Sequence, residues 1–349
     1  MGLRAVILGL GLALASLPVE AVTLVDSVGV NAPGNQADST GLGAVAYGYQ
    51  IGKFEVLNSQ YVAFLNAVAK TDPYGLYASQ MSSAAEGGIN RSGLSGSYVY
   101  SLKLGYANYP VIYASFYDAA RFVNWLQNGQ PTGGLNASTT EDGAYTFSGA
   151  TTMGPRNPGA RFALPGKDEW YKAAFYEPSG QGGSYWQYTT RANVLPNSRG
   201  PNASDANSAN FYYDDGVANG INAGYAVTGS TTFNSSINYL TPAGGYSAAA
   251  GPWGTFDQGG NAREWLELGS DGSAYIAGDA WVPTDIAEMS SAGTIYLLGP
   301  GPTFESASIG FRVVIVPEPS VVGLSAIGLS VAWLLGRTGK GHVRRSGSC

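Results

Sequence analysis

Cysteine and histidine are almost missing from this 349-residue chain: Cys349 and His342, both near the C-terminus, are its only examples. A lone cysteine excludes an internal disulfide, and the body of the chain has no thiolate nucleophile or soft-metal ligand. Charge is scarce as well, at 12% of residues, with 18 Lys+Arg against 24 Asp+Glu and a net charge of −6. A backbone-reading nucleic-acid partner needs a basic surface, so that function class is excluded. Long apolar runs are confined to the two ends. What fills the chain instead is 50 Gly and 23 Tyr with 7 Trp, and that aromatic content argues for a packed body rather than disorder.

The ends read as addresses. "MGLRAVILGLGLALASLPVEAV" has one Arg, an apolar run, Pro18 and the small Ala21, the pattern of a secretory signal over residues 1–21. At the other end Pro317-Glu318-Pro319 precedes an apolar stretch from Val321 to Leu335, then Arg337, Lys340, Arg344 and Arg345. That stretch is short for a stable span of about 20 residues. The basic cluster belongs on the cytoplasmic side, which leaves residues 22–316 outside. Without the two ends, 13 cations face 22 anions, a net charge of −9.

Three segments have helical periodicity. In "GKFEVLNSQYVAFLNAVAKTDPYG", Asn58 is the expected cap, Tyr61, Leu65 and Val68 share a face, and Asp72-Pro73 ends the helix. In "YPVIYASFYDAARFVNWLQNGQP", Ser115 and Asp118 form a capping-box pair before a stripe of Ala119, Phe122, Val123 and Leu126. In "ARFALPGKDEWYKAAFYEP", Asp168 and Glu169 occupy the first turn, where the helix dipole favours anions, and Pro178 is the expected stop. Short strands and loops follow, ending in "SIGFRVVIV", which reads as a terminal strand. The fold class is α+β, with few regular elements and long loops. One domain is expected over 47–316, with residues 22–46 as a lead-in and 317–349 as the sorting segment.

Taken in order, "GKFEVLNSQYVAFLN", "YPVIYASFYDAARFVNWL", "RFALPGKDEWYKAA", "GTFDQGGNAREW", "GDAW" and "GFRV" resemble the formylglycine-generating enzymes, or sulfatase-modifying factors, whose fold is related to C-type lectins. The C-terminal tripartite segment is similar to the PEP-CTERM sorting signal of Gram-negative bacteria, which an exosortase removes. These resemblances imply an exported protein of the cell envelope or extracellular matrix, held at the membrane only through its sorting segment.

The departures bear on chemistry. Gly166 and Lys167 stand where the family usually has Thr-Glu, and Asp279-Ala280 where it usually has Gly-Ser. Family oxidases hold copper through a cysteine pair between the motifs matched here by "GDAW" and "GFR". That interval, "VPTDIAEMSSAGTIYLLGPGPTFESASI", has Met289 as its only sulfur, and one thioether makes no two-coordinate Cu(I) site. Copper is therefore not expected. Related iron enzymes that use several histidines fail the same test.

Oxygen ligands are what the body offers, so Ca2+ is the candidate metal. The resemblance implies a site formed by the Glu264 carboxylate and the carbonyls of Gly259, Gly260 and Ala262, with Asn261 closing the turn. It implies a second site beginning at Asn210 and Phe211. A bland alternative has Glu264 bonded within its own loop and Trp265 in the core. Asp257 and Glu264 could also run acid/base hydrolysis as a carboxylate pair. The expectation carried forward is a non-catalytic domain that binds an extracellular polysaccharide or an envelope protein. The tyrosine-rich "NFYYDDG" and "GSYWQYTTR" are its candidate recognition surfaces. A thiol-independent enzyme and a structural matrix protein are the alternatives.

Overall fold

A computed structural model describes residues 25–178, 184–202, 204–297 and 301–317. The secretory signal and all but the first residue of the sorting segment lie outside the described residues. Among the described residues no helix is long and apolar enough to cross a membrane.

Two small sheets and three main helices make the frame. The first sheet orders its strands Ser27–Val30, Tyr49–Gly52, Val314–Ile315 and Phe162–Ala163, each antiparallel to its neighbour. It therefore joins the beginning, middle and end of the body, with Ser27–Val30 of the lead-in paired to Tyr49–Gly52. The second sheet orders Ile295–Leu297, Tyr275–Ala277, Arg263–Trp265 and Ile309–Gly310, the last pair parallel. Two-stranded ladders such as Tyr212–Asp214 with Ala223–Tyr225 stiffen the intervening loops.

Helix α1 spans Asn58–Val68. It begins one residue earlier than expected, because Gln60 reaches back to the Leu57 N–H (2.8 Å) while the Asn58 amide donates to the Tyr106 carbonyl (3.1 Å). Its expected face is buried, with Phe64 added between Tyr61 and Leu65. Gln80–Ser83 forms the single-turn helix α2. Helix α3, Phe116–Gln127, has the expected capping box: Ser115 Oγ accepts from the Asp118 N–H (3.2 Å), and Asp118 Oδ2 accepts from the Ser115 N–H (2.9 Å).

Burial around α3 goes beyond one stripe, since every residue from Phe116 to Leu126 is buried. Its polar side is clamped by the following loop. Arg121 holds Glu141 through two bonds of 2.8 and 2.9 Å, and the Asn124 amide donates to the carbonyls of Thr140 and Tyr145. Between α1 and α3, the rings of Tyr61, Phe64, Phe122, Trp125 and Phe311 pack at centroid spacings of 5.4 to 6.4 Å. Each such buried ring contributes on the order of 1.5–3 kcal/mol.

Helix α4, Lys167–Phe175, starts at Gly166 without a side-chain cap, and the Glu169 carboxylate accepts the Gly166 N–H instead (2.7 Å). It ends at Phe175, before Pro178, where Tyr176–Glu177 pairs with Ser184–Tyr185. The expected terminal strand is two strands in two sheets, Ile309–Gly310 and Val314–Ile315. Between them the backbone leaves both ladders to carry Arg312 inward.

Candidate functional site

The turn 254–267 is built by close approach. A Cβ on Gly259 would stand 2.4 Å from Thr189 Oγ1, and one on Gly260 would stand 2.6 Å from the Asn210 carbonyl oxygen. Gly260 has φ 117°, while Asp257 and Asn261 both take φ 63°. Asn residues tolerate that left-handed conformation better than most. Asn261 then anchors three segments. Its N–H donates to the Asn210 carbonyl (2.7 Å), and its Oδ1 accepts from Thr241 N (2.9 Å) and Asn210 Nδ2 (3.1 Å). Its Nδ2 donates to Glu55 Oε1 (3.1 Å).

Glu264 is fully buried and both its oxygens are engaged. Oε1 takes Arg312 Nη2 at 2.5 Å, while Oε2 takes Arg312 Nε at 2.5 Å and the Trp170 indole N–H at 2.7 Å. The Arg312 guanidinium also donates to the Gly52 carbonyl (2.9 Å) and the Phe256 carbonyl (3.0 Å). Trp265 donates to the Ala114 carbonyl (2.9 Å) from within the core. Two more carboxylates face this guanidinium. Burial, and then Asp257, push Glu55 well above the usual carboxylate range, and burial raises Asp257 to about 6. The residues quoted as one motif therefore close a buried ion-pair network.

A second polar cluster joins Asp279 in "GDAW" to Arg263 and to the following residues Thr284 and Glu288. Asp279 is buried; its Oδ1 accepts from Ala280 N (2.7 Å) and Thr284 Oγ1 (2.6 Å), and its Oδ2 has no partner. Burial lifts its pKa to about 7. Arg263 stands 4.0 Å from Asp279 and binds Glu288 at 2.8 Å. Met289 is buried with Tyr188, Ala209 and Phe211, a packing residue.

Beside it rises an aromatic stack. Tyr239 lies on Trp281 (5.1 Å, 8° between planes), and Phe233 lies on Trp281 as well (6.2 Å, 15°). Tyr225 contacts Tyr239 and Tyr212 at 4.6 and 4.8 Å. Phe233 is 51% exposed although it stacks on this cluster.

The sequence model of the sulfatase-modifying factor enzyme 1-like domain matches residues 39–316. The chain belongs to this family. Three solved structures are similar to this chain. CarF is 20% identical, with 85% of this chain and 100% of that one covered, at a TM-score of 0.48. Treponema denticola variable protein 1 is 14% identical, covering 83% and 95%, at 0.43. PvdO from Pseudomonas aeruginosa is 15% identical, covering 83% and 91%, at 0.39. No curated protein matches the sequence. The mixed architecture, with few helices, many short strands and no closed barrel among the described residues, is the one expected of the family.

The geometry brings all of the expected metal residues together: Gly259, Gly260, Asn261, Ala262 and Glu264 share the turn, and Asn210 with Phe211 lies against it. The donor set around Glu264 does not fit a calcium ion. A guanidinium already neutralises that carboxylate, and a divalent cation would sit against a like charge. At the second position the Phe211 carbonyl accepts from Ser198 Oγ (2.5 Å), but Asn210 Oδ1 is buried without a partner. This is the position that keeps a free oxygen. Of the expected recognition residues, Tyr212 and Tyr213 are half-buried in ring contacts, and Tyr188, Thr189 and Thr190 are buried. Phe233 and Glu55 were not singled out in the sequence; Phe233 stands alone among small polar residues, and Glu55 gives no local sign of its distant partners.

Proposed function

We propose that this sulfatase-modifying-factor-like domain is an exported, non-catalytic binding module for a polysaccharide or envelope protein. The observation that carries the reading is Phe233, half-exposed and stacked on the Trp281–Tyr239 pair. An aromatic face backed by further rings gives rigid contact area at little entropic cost. The carboxylates of the family turn support it from the other side, because Glu264 is committed to Arg312 and leaves no acid/base pair with Asp257. Export rests on the sequence: the apolar leader up to Ala21, and Pro317-Glu318-Pro319 as an exosortase substrate in a Gram-negative envelope. Calcium, if bound, takes the Asn210 oxygen.

The test is a glycan array and an envelope pull-down with the full-length chain and Phe233→Ala. Binding that falls at least about ten-fold in the variant supports the reading. Binding that is absent throughout, or indifferent to Phe233, contradicts it.

One observation favours a thiol-independent enzyme as the second reading. Asp279 combines an unpartnered oxygen with a pKa of about 7, the position of a general acid or base at neutral pH. Turnover of nitrophenyl glycosides or esters that disappears in Asp279→Asn would establish it.

A further inference from the structure

Away from the motif turn, a cleft of about 310 Å3 opens beside α4, lined among others by Phe116, Tyr145, Met153, Arg156, Glu267 and Leu268. Three charged groups are wired together at its base. Arg156 Nε donates to Glu267 Oε1 (2.7 Å), and its Nη1 and Nη2 donate to the Glu169 carboxylate at 3.1 and 2.8 Å. Nη2 also donates to the Leu164 carbonyl (3.1 Å). The Tyr145 hydroxyl donates to the same Glu267 oxygen (2.8 Å) and accepts from the Leu164 N–H (2.9 Å). This scaffold immobilises Glu267 while using only one of its oxygens.

The other oxygen, Oε2, takes no hydrogen bond from the described residues, and Glu267 itself lines the cleft. The Glu267 side chain is 24% accessible and that of Arg156 20%. Counting donors on the guanidinium, one Nη1 hydrogen is also uncommitted. The cleft thus offers a fixed carboxylate acceptor next to a fixed guanidinium donor, with Phe116, Met153, Pro155 and Leu268 as apolar walls.

We infer that this cleft is a binding site for one neutral sugar ring. Adjacent ring hydroxyls are donor and acceptor at once, which matches a carboxylate and a guanidinium side by side. The C–H faces of the ring fit the apolar walls, and the volume is at the small end of ligand sites. A cationic ligand would have to approach the Arg156 guanidinium. An acidic sugar would meet a base that carries two carboxylates against one guanidinium. The neutral ring is the ligand without a charge conflict. The inference does not rest on the aromatic face around Phe233, and the two sites are tested by different variants.

The experiment is saturation-transfer NMR on the full-length chain. Its probes are methyl β-D-glucopyranoside, methyl β-D-galactopyranoside, methyl α-D-mannopyranoside, methyl β-D-glucuronide and methylammonium. At least one neutral glycoside is expected to receive saturation, with the glucuronide and methylammonium receiving none. Glu267→Gln should weaken the neutral glycoside about ten-fold or more, the scale of one charge-assisted hydrogen bond. Gly154→Phe fills the cleft from a position where a new Cβ meets only the Thr146 carbonyl oxygen, at 3.9 Å. It should abolish the signal with the melting temperature unchanged, and it decides the matter if Glu267→Gln does not fold. No signal from any neutral glycoside, signal from methylammonium instead, or signal that survives in Gly154→Phe would each overturn the inference.

Discussion

The turn around Glu264 and the cleft around Glu267 are three residues apart in sequence and opposite in character. Glu264 has both oxygens filled, by a buried guanidinium and an indole, and nothing reaches it from outside. Glu267 is held just as firmly through one oxygen, and the other faces a cleft. The first arrangement holds the fold; the second can hold a ligand. A buried ion pair costs desolvation that its Coulomb attraction barely offsets, so such a pair is better understood as a joint between segments than as a source of stability. This joint ties the turn at 254–267, through Glu264 and the Phe256 carbonyl, to Arg312 at the end of the body and to residue 52.

The sharpest way to break the comparison is to unpair the joint. Glu264→Ala leaves Arg312 charged and buried, at a cost of about 3–5 kcal/mol. Thermal denaturation should show a fall in Tm of roughly 10 °C or loss of the cooperative transition. If Tm fell by only a degree or two, Glu264 would not be holding the fold. Asn261→Ala comes next. It orphans the buried groups of Asn210, Thr241 and Glu55 and places Ala at φ 63°, which together cost about 2–4 kcal/mol. Urea denaturation reads this as a lower midpoint at unchanged slope.

A smaller effect separates buried acids from exposed ones. Burial raises Asp118 and Asp279 to about 7 and Asp257 to about 6, against about 3.9 in the unfolded chain. Groups raised in the fold stabilise it fully below the unfolded pKa, and that contribution is lost as pH rises through about 6–7. Glu169 works in reverse: despite its burial Arg156 holds it low, so its contribution is present above the unfolded carboxylate pKa and is lost as pH falls from there through its depressed folded pKa. The domain should therefore melt several degrees higher at pH 5 than at pH 8. A higher Tm at pH 8 would mean that these acids are ionised in the folded state without cost.

The mildest change is on the open face. Phe233→Ala should alter stability by less than about 1 kcal/mol, because half of the ring is already in water. Its effect belongs in ligand affinity. A large fall in Tm would make Phe233 a core residue and remove the binding face.

What was legible in the sequence divides along the same line. The capping box of α3 is readable because Ser115 and Asp118 act within one turn. The glycines at 259 and 260 are readable as a tight turn for the same reason. Leu57 is a cap only because the Asn58 amide is drawn to Tyr106, and the terminal strand splits only because Arg312 turns inward to Glu264. Those contacts span 48 residues, and no local pattern marks them. The cleft is less legible still. Its base joins α4, the segment carrying Tyr145 and Arg156, and Glu267 just after the strand Arg263–Trp265, and Tyr145 and Arg156 each stand more than 100 residues from Glu267 in the sequence. The family motifs thus record how the chain is braced, while the groups left free are set by residues between them.

The most direct test of that claim is a double-mutant cycle on Glu264→Gln and Arg312→Met, read by chemical denaturation. The account predicts that each single change destabilises by about 3 kcal/mol or more and that the double variant is no less stable than either single one, a coupling of about 3 kcal/mol or more. Additive effects, with the double variant losing the sum of the two, would show that the two side chains act independently and that Glu264 is kept for another partner.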